Sequence, residues 1–328
     1  MKKRLAAFGI LAAAATLALA GCTDSAAQPS SAPTDDAASG EMTSVRVAAL
    51  PIAETGALWA AIDEGIFADH GLEIEVVPAQ GGANAIPALL SGDIQFAIGQ
   101  PFGPIRADLQ DLGVTIIGDY ANSLVEGTDV NAVVASGDSG ITRPADLAGK
   151  TVSVNTIGAA GDLTIRKAVQ DDGGDPSTIK FVEVAFPDVP AQLEAGTMDA
   201  AWAPDPFRAM IVGGGGTSVV APYQATIPGL TVLTNITSQK LMDENPDLVA
   251  SYAAAMSEAL DWASSNEDAV RAAIAKNLKI PDEAAAGITL PTFTWDLADA
   301  GIEDLGALAL EFGYIDTEPD YSRLIQQQ

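Results

Sequence analysis

From residue 44 onward the chain alternates between two hydrophobic spacings. Residues 44–50 (SVRVAAL) place apolar side chains at alternate positions, and the segment is rich in β-formers, which predicts a strand. After a break at 51–56, residues 57–69 put Leu58, Ala61, Ile62 and Ile66 on one helical face. His70-Gly71 closes that helix. Residues 72–77 (LEIEVV) read as a second strand, Gln80-Gly81-Gly82 as a loop, 83–90 as a helix and 94–98 as a third strand. Strands alternating with short helices predict parallel βαβ units with helices on the sheet faces.

The same grammar restarts near Leu147, with a strand at 150–154, a helix at 161–170, a strand at 179–184, a helix at 189–193 and a short strand at 200–202. Local wording is shared as well. Gly92-Asp93-Ile94-Gln95-Phe96-Ala97 ahead of Pro101-Phe102 parallels Gly196-Thr197-Met198-Asp199-Ala200-Ala201 ahead of Pro206-Phe207. The offset drifts along the match, so the two stretches share a plan without being a strict repeat. The β-type segments 130–135 and 230–235 flank the second unit and are read as two crossings between lobes. Beyond Thr237 the pattern is helical at 248–263, 267–277 and 302–312, punctuated by Pro246, Pro281 and Pro291. These helices are expected to pack back on the first lobe.

The N-terminus adds a compartment. Residues 1–21 read as a signal peptide: Lys2, Lys3 and Arg4, an apolar run over 5–19, then small residues. The run is shorter than the ~20 residues of a spanning helix. Leu19-Ala20-Gly21-Cys22 resembles the bacterial lipoprotein box, and Cys22 is the only cysteine among 328 residues. Lipid on Cys22 would hold the protein to a membrane, and a lone thiol forms no internal disulfide. The Ser-, Ala-, Pro- and Asp-rich stretch that follows Cys22 to residue 43 buries too little to order itself. It reads as a tether with a reach of roughly 25 Å. Signal removal takes three of the 16 basic residues and none of the 44 acidic ones, moving the net charge from −28 to −31. Such a surface makes nucleic acid a poor partner.

Four segments in order resemble the nitrate/sulfonate/taurine and thiamine-precursor class of ABC importer solute-binding proteins. They are Gly65-Ile66-Phe67-Ala68-Asp69-His70-Gly71-Leu72-Glu73-Ile74-Glu75, Gly92-Asp93-Ile94-Gln95-Phe96-Ala97, Asp146-Leu147-Ala148-Gly149-Lys150-Thr151-Val152 and Gly196-Thr197-Met198-Asp199-Ala200-Ala201-Trp202. The C-terminal helices match the family only in general character. The resemblance implies a two-lobed α/β periplasmic-binding-protein fold of type II, each lobe a mainly parallel sheet flanked by helices. Lobe I is expected over 44–131 plus 235–328, and lobe II over 132–234. It further implies a monomer without cofactor, on the outer face of the bacterial cytoplasmic membrane or in the periplasm. There it would capture a small organic molecule and deliver it to a permease and its ATPase. An enzyme on the same fold and a sensory lipoprotein without a transporter are the rival readings. The first is disfavoured by the lack of usable His, Cys or metal-ligand spacing.

In open α/β sheets the loops at the carboxyl ends of strands form the binding crevice. The candidates on lobe I are therefore Glu54, Thr55 and Gly56, then Gln80 and Asn84, then Gln100. On lobe II the loop NTIGAAGD contributes Asn155, Thr156, Gly158 and Ala159. Its small residues would offer backbone N–H groups to a ligand at a helix N-terminus; the other reading is a plain turn in which Asp162 caps the helix. Asp188 is a ligand contact or a cap. Trp202 is a stacking surface or a core side chain. Asp205, between two prolines, would offer a rigid carboxylate. His70, the only histidine, sits in a surface turn, so neither a Cys/His metal cluster nor a Ser-His-Asp triad is expected. No Lys or Arg lies in these loops, although Arg106 and Arg208 flank them. A polar or zwitterionic molecule, or a ring with donor groups, fits as well as an anion.

Overall fold

Alternating strand and helix signals are realised as two sheets in a computed structural model that describes residues 42–79, 81–297 and 301–328. The signal peptide, Cys22, the tether to residue 41, and Gln80 lie outside the described residues.

The first sheet contains β1 (Thr43–Ala49), β2 (Leu72–Pro78), β3 (Phe96–Gly99) and β4 (Val114–Asn122). The second contains β5 (Asn131–Ala135), β6 (Thr151–Val154), β7 (Lys180–Glu183), β8 (Ala200–Pro204) and β9 (Thr217–Val220). β10 (Thr231–Ser238) and β11 (Thr292–Phe293) then return to the first sheet. The orders are β11-β4-β10-β3-β1-β2 and β7-β6-β8-β5-β9. This is the two-lobed α/β architecture, with mixed sheets where mainly parallel ones were expected. β1 pairs parallel with β2 and β3, and β6 parallel with β7 and β8, as βαβ units require. β10 and β5 pair antiparallel with both their neighbours. Each is the strand by which the chain enters a sheet from the other one, so it arrives running the opposite way.

That corrects one expectation. Segments 130–135 and 230–235 are not crossings: apart from their first residues they are strand, each with a neighbour on both sides in its sheet, and the connections are 123–130 and 221–230. Residues 231–234, expected in the second lobe, pair in the first sheet. A second difference lies at Gly65. Its left-handed conformation (φ 83°) ends the helix Gly56–Glu64, and a short helix Ile66–Asp69 follows where one continuous helix was expected. β4 gave no alternation because all nine of its residues are buried.

The C-terminal helices do pack on the first sheet. In the helix Pro246–Ser265, Tyr252 stacks on Phe96 of β3 at 3.7 Å and donates its hydroxyl to Asn235 Oδ1 of β10 (2.9 Å). The principal apolar cluster runs from Val45 and Phe96 through Val133 to Trp202 and Tyr223, so it is continuous from one sheet to the other. Among the described residues no helix is long and apolar enough to cross a membrane.

Candidate functional site

Strand ends from both sheets meet around one small cavity. Leu50, Ile52 and Glu54 follow β1, and Gln100 follows β3. Asn131 opens β5, Asn155 follows β6, and Trp202 and Pro204 come from β8. Val232 and Leu233 complete the wall where the pairing of β10 with β4 shifts register. The cavity volume is about 20 Å³, roughly the room of one water molecule. A larger groove on the second lobe, beside Met210 and Gly215, holds none of the described buried polar atoms that lack a partner. The small cavity holds two, Glu54 Oε2 and Asn131 Nδ2.

Glu54 sits in a single 3-10 turn, Ala53–Thr55, and is 1% exposed. Burial pushes its carboxyl well above the usual range, and the nearby Asp205 and Asp129 carboxylates push the same way, against a backbone hydrogen bond at Glu54 and the weaker pull of Arg208. Thr55 turns inward to donate to the Leu50 carbonyl (2.7 Å), closing the strand-to-helix turn. Gly56 is a packing residue: a Cβ there would lie 2.6 Å from Ile274 Cγ1 of the helix Glu267–Leu278. Asn84 is exposed on the first turn of the helix Gly82–Ser91.

On the second lobe the small-residue loop spends its donors internally. Asp162 accepts from the N–H groups of Gly158 (3.0 Å) and Ala159 (2.8 Å), so the capping reading is the one realised and neither residue lines the cavity. Gly158 has φ +73°, a conformation open to glycine at little cost. Asn155 and Thr156 instead face the first lobe, for a Cβ on Gly81 would lie 3.3 Å from Asn155 Nδ2 and from Thr156 Oγ1. Asp188 is exposed at the start of the helix Val189–Glu194, makes no capping bond and stands outside the cavity.

Asp205 is fully buried but not free. Arg208 grips it in two-pronged fashion (Nε–Oδ1 3.0 Å, Nη2–Oδ2 2.7 Å) and the Ala209 N–H adds a third bond. A carboxylate engaged in this way has little left for a ligand, because a guanidinium fork matches both oxygens. Its backbone carbonyl accepts from Ala53 N (3.0 Å), tying the β8 end to the turn that carries Glu54. For Trp202 the two readings coincide. The indole is 3% exposed, packed edge-on to Phe186 (5.6 Å) and against Tyr223 (5.5 Å), and it still forms cavity wall.

Two further residues, Arg106 and Tyr314, join the lobes at a separate groove that Gly158, Asp162 and Arg166 also line. Arg106 Nη1 donates to the Gly158 carbonyl (3.1 Å). Tyr314, which follows the helix Ile302–Glu311, donates to Asp162 Oδ2 (2.8 Å) and accepts from Arg166 Nε (3.0 Å). His70 pairs with Glu258 on the surface. Among the described residues no group of three His, Cys, Asp or Glu could hold a metal ion. Asn131 and Tyr314 were not among the candidates. Asn131 lay in a segment taken for a crossing, and the contact of Tyr314 spans 152 positions.

Residues 53–270 match the profile of the NMT1/THI5-like family. The chain belongs to it. This NMT1/THI5-like chain is 25% identical over 214 residues, 64% of its length, to the formylaminopyrimidine-binding protein of Halalkalibacterium halodurans, of which the match spans 63%. Its fold is similar to that of the alkanesulfonate-binding protein SsuA from Xanthomonas axonopodis pv. citri bound to MOPS. The TM-score is 0.72 at 16% identity, covering 88% of this chain and 99% of that one. The desulfurization enzyme DszB has the same fold (TM-score 0.62, 18% identity, 87% and 96% covered), so the fold alone does not separate a binder from an enzyme.

Proposed function

We propose that this NMT1/THI5-like protein is the extracytoplasmic solute-binding component of an ABC importer. In this reading it captures a flat, uncharged organic ring of pyrimidine type between its lobes and passes it, unaltered, to a permease and ATPase. One observation carries the choice of ligand: a buried Glu54 carboxyl, its pKa raised by burial, at a cavity whose described lining holds no Lys or Arg. A sulfonate or nitrate would enter beside that acid, with the carboxylates of Asp129 and Asp205 nearby and the Arg208 guanidinium already committed to Asp205. Protonated on binding, Glu54 would suit a ring with an amine next to a ring nitrogen, its O–H donating to the nitrogen while its carbonyl accepts from the amine. The relative that binds formylaminopyrimidine supports the same class.

Small-molecule pockets occupy about 300–1,000 Å³, far above the present cavity, so entry requires the lobes to part. We assign the lobes to 42–122 with 231–328 and to 131–220, the connections 123–130 and 221–230 serving as hinges. Lipid on Cys22 and the tether would keep the receptor at the outer membrane face. Isothermal titration of the purified protein with 4-aminopyrimidine, formylaminopyrimidine, taurine, an alkanesulfonate and nitrate tests the reading. The pyrimidines are expected to bind and to be recovered intact by mass spectrometry. At a hundredfold excess over Kd they should add about 2.7 kcal/mol of stability. Binding confined to the anions, or chemical conversion of the ring, would overturn it.

A further inference from the structure

Asn131 opens β5 at the cavity and is 1% exposed. Its Oδ1 accepts the indole N–H of Trp202 at 2.8 Å. An indole nitrogen only donates, so this contact dictates which end of the carboxamide faces Trp202. It leaves the Nδ2 amino group, with its two donors, on the other side, buried and without a hydrogen-bond partner among the described residues. The indole in turn cannot swing away. Phe186 and Tyr223 pack on it, and its ring lies so close over Gly161 that a Cβ there would sit 2.7 Å from Cε3. Buried donors are costly to leave unmade and are seldom left so without a role. The cavity wall thus offers an acid from the first lobe and an oriented amino group from the second.

We propose that Asn131 determines ligand specificity by donating through Nδ2 to an acceptor on the ring, a carbonyl oxygen or an unprotonated ring nitrogen, and that Trp202 is the residue that positions it. This rests on the cavity being the ligand site. The acceptor is separate from the amine-and-nitrogen edge assigned to Glu54, so the ligand carries polar groups on two edges. Lobe closure would bring the two edges to their partners together, because one partner stands on each sheet.

The test compares 4-aminopyrimidine with 2-aminopyridine at pH 8, where both are neutral. The second keeps the amine and its adjacent ring nitrogen but lacks the other nitrogen. Titrations are run on the wild-type protein, Asn131→Asp and Trp202→Phe, with circular dichroism as the check on folding. The wild-type protein is expected to prefer 4-aminopyrimidine by about tenfold or more, since a site built to hydrogen-bond rejects the analogue that lacks the group. Asn131→Asp keeps the bond to the indole but puts an oxygen where Nδ2 stood, so the preference is lost chiefly through weaker binding of 4-aminopyrimidine. Trp202→Phe frees the amide to turn over and also collapses the preference, whereas a purely structural role would weaken both probes alike. An unchanged preference in Asn131→Asp overturns the inference and leaves the pyrimidine reading standing. Failure of both probes to bind the wild-type protein overturns both.

Discussion

Asp119 gives the sharpest link between a buried group and a bulk measurement. It lies on β4, fully buried, with Oδ1 accepting from Thr231 Oγ1 (2.6 Å) and the Tyr120 N–H (2.8 Å), and with Oδ2 unpartnered among the described residues. Burial raises its pKa from 3.8 to about 7 against those hydrogen bonds, and the Asp296 carboxylate adds to the rise. The folded pKa therefore lies above the unfolded one, and between them the folded chain holds a proton that the unfolded chain has released. Stability from this group is fully present below pH 3.8 and is lost as the pH climbs through 7. One proton difference is worth about 1.36 kcal/mol per pH unit, which integrates to about 2 kcal/mol lost between pH 5 and 7. Asp119→Asn removes the titration. Glu54 and the large negative charge tilt stability in the same direction, but they act equally in both proteins and cancel in the comparison. Urea unfolding followed by tryptophan fluorescence at pH 5, 6 and 7 should give a wild-type slope steeper than that of the variant by the stated amount. Parallel slopes would refute the reasoning.

Two other substitutions probe polar contacts away from the cavity wall. Tyr314→Phe deletes the hydroxyl that links Asp162 and Arg166, a bond to a charged group worth about 1.5–3 kcal/mol; amide exchange at Gly158 and Ala159 should quicken by about tenfold or more, and unchanged exchange there would show that the lobes are held elsewhere. Arg208→Ala strands the Asp205 carboxylate at 0% exposure and should cost about 3–5 kcal/mol, with Asp205→Asn in the same chain restoring part of it; a Tm equal to that of the wild-type protein would mean the pair contributes nothing.

Local chemistry was legible along the chain wherever the physics is local. The alternation of Val45 and Val47 marked β1, and the apolar spacing between Pro246 and Pro281 marked the two helices Pro246–Ser265 and Glu267–Leu278. The reach of Asp162 to N–H groups three and four positions away was one of the two readings open for its loop. β4 escaped because burial on both faces erases the period-two signal, whereas the strand character of β10 was legible but not its sheet, since nothing in eight residues tells which of two sheets will accept them.

For the site, the sequence by itself determined that the chain builds βαβ units whose strand-end loops carry Glu54, Gln100, Asn155 and Trp202, four candidates that do line the cavity. Only the tertiary structure decided that Asp205 is occupied by Arg208, that the Gly158 and Ala159 donors are spent on Asp162, and that Trp202 aims the amide of Asn131. Strand and helix periodicity follows from neighbours a few residues apart. Whether a polar atom is paired or left waiting depends on what the fold brings against it from 71 or 152 positions away.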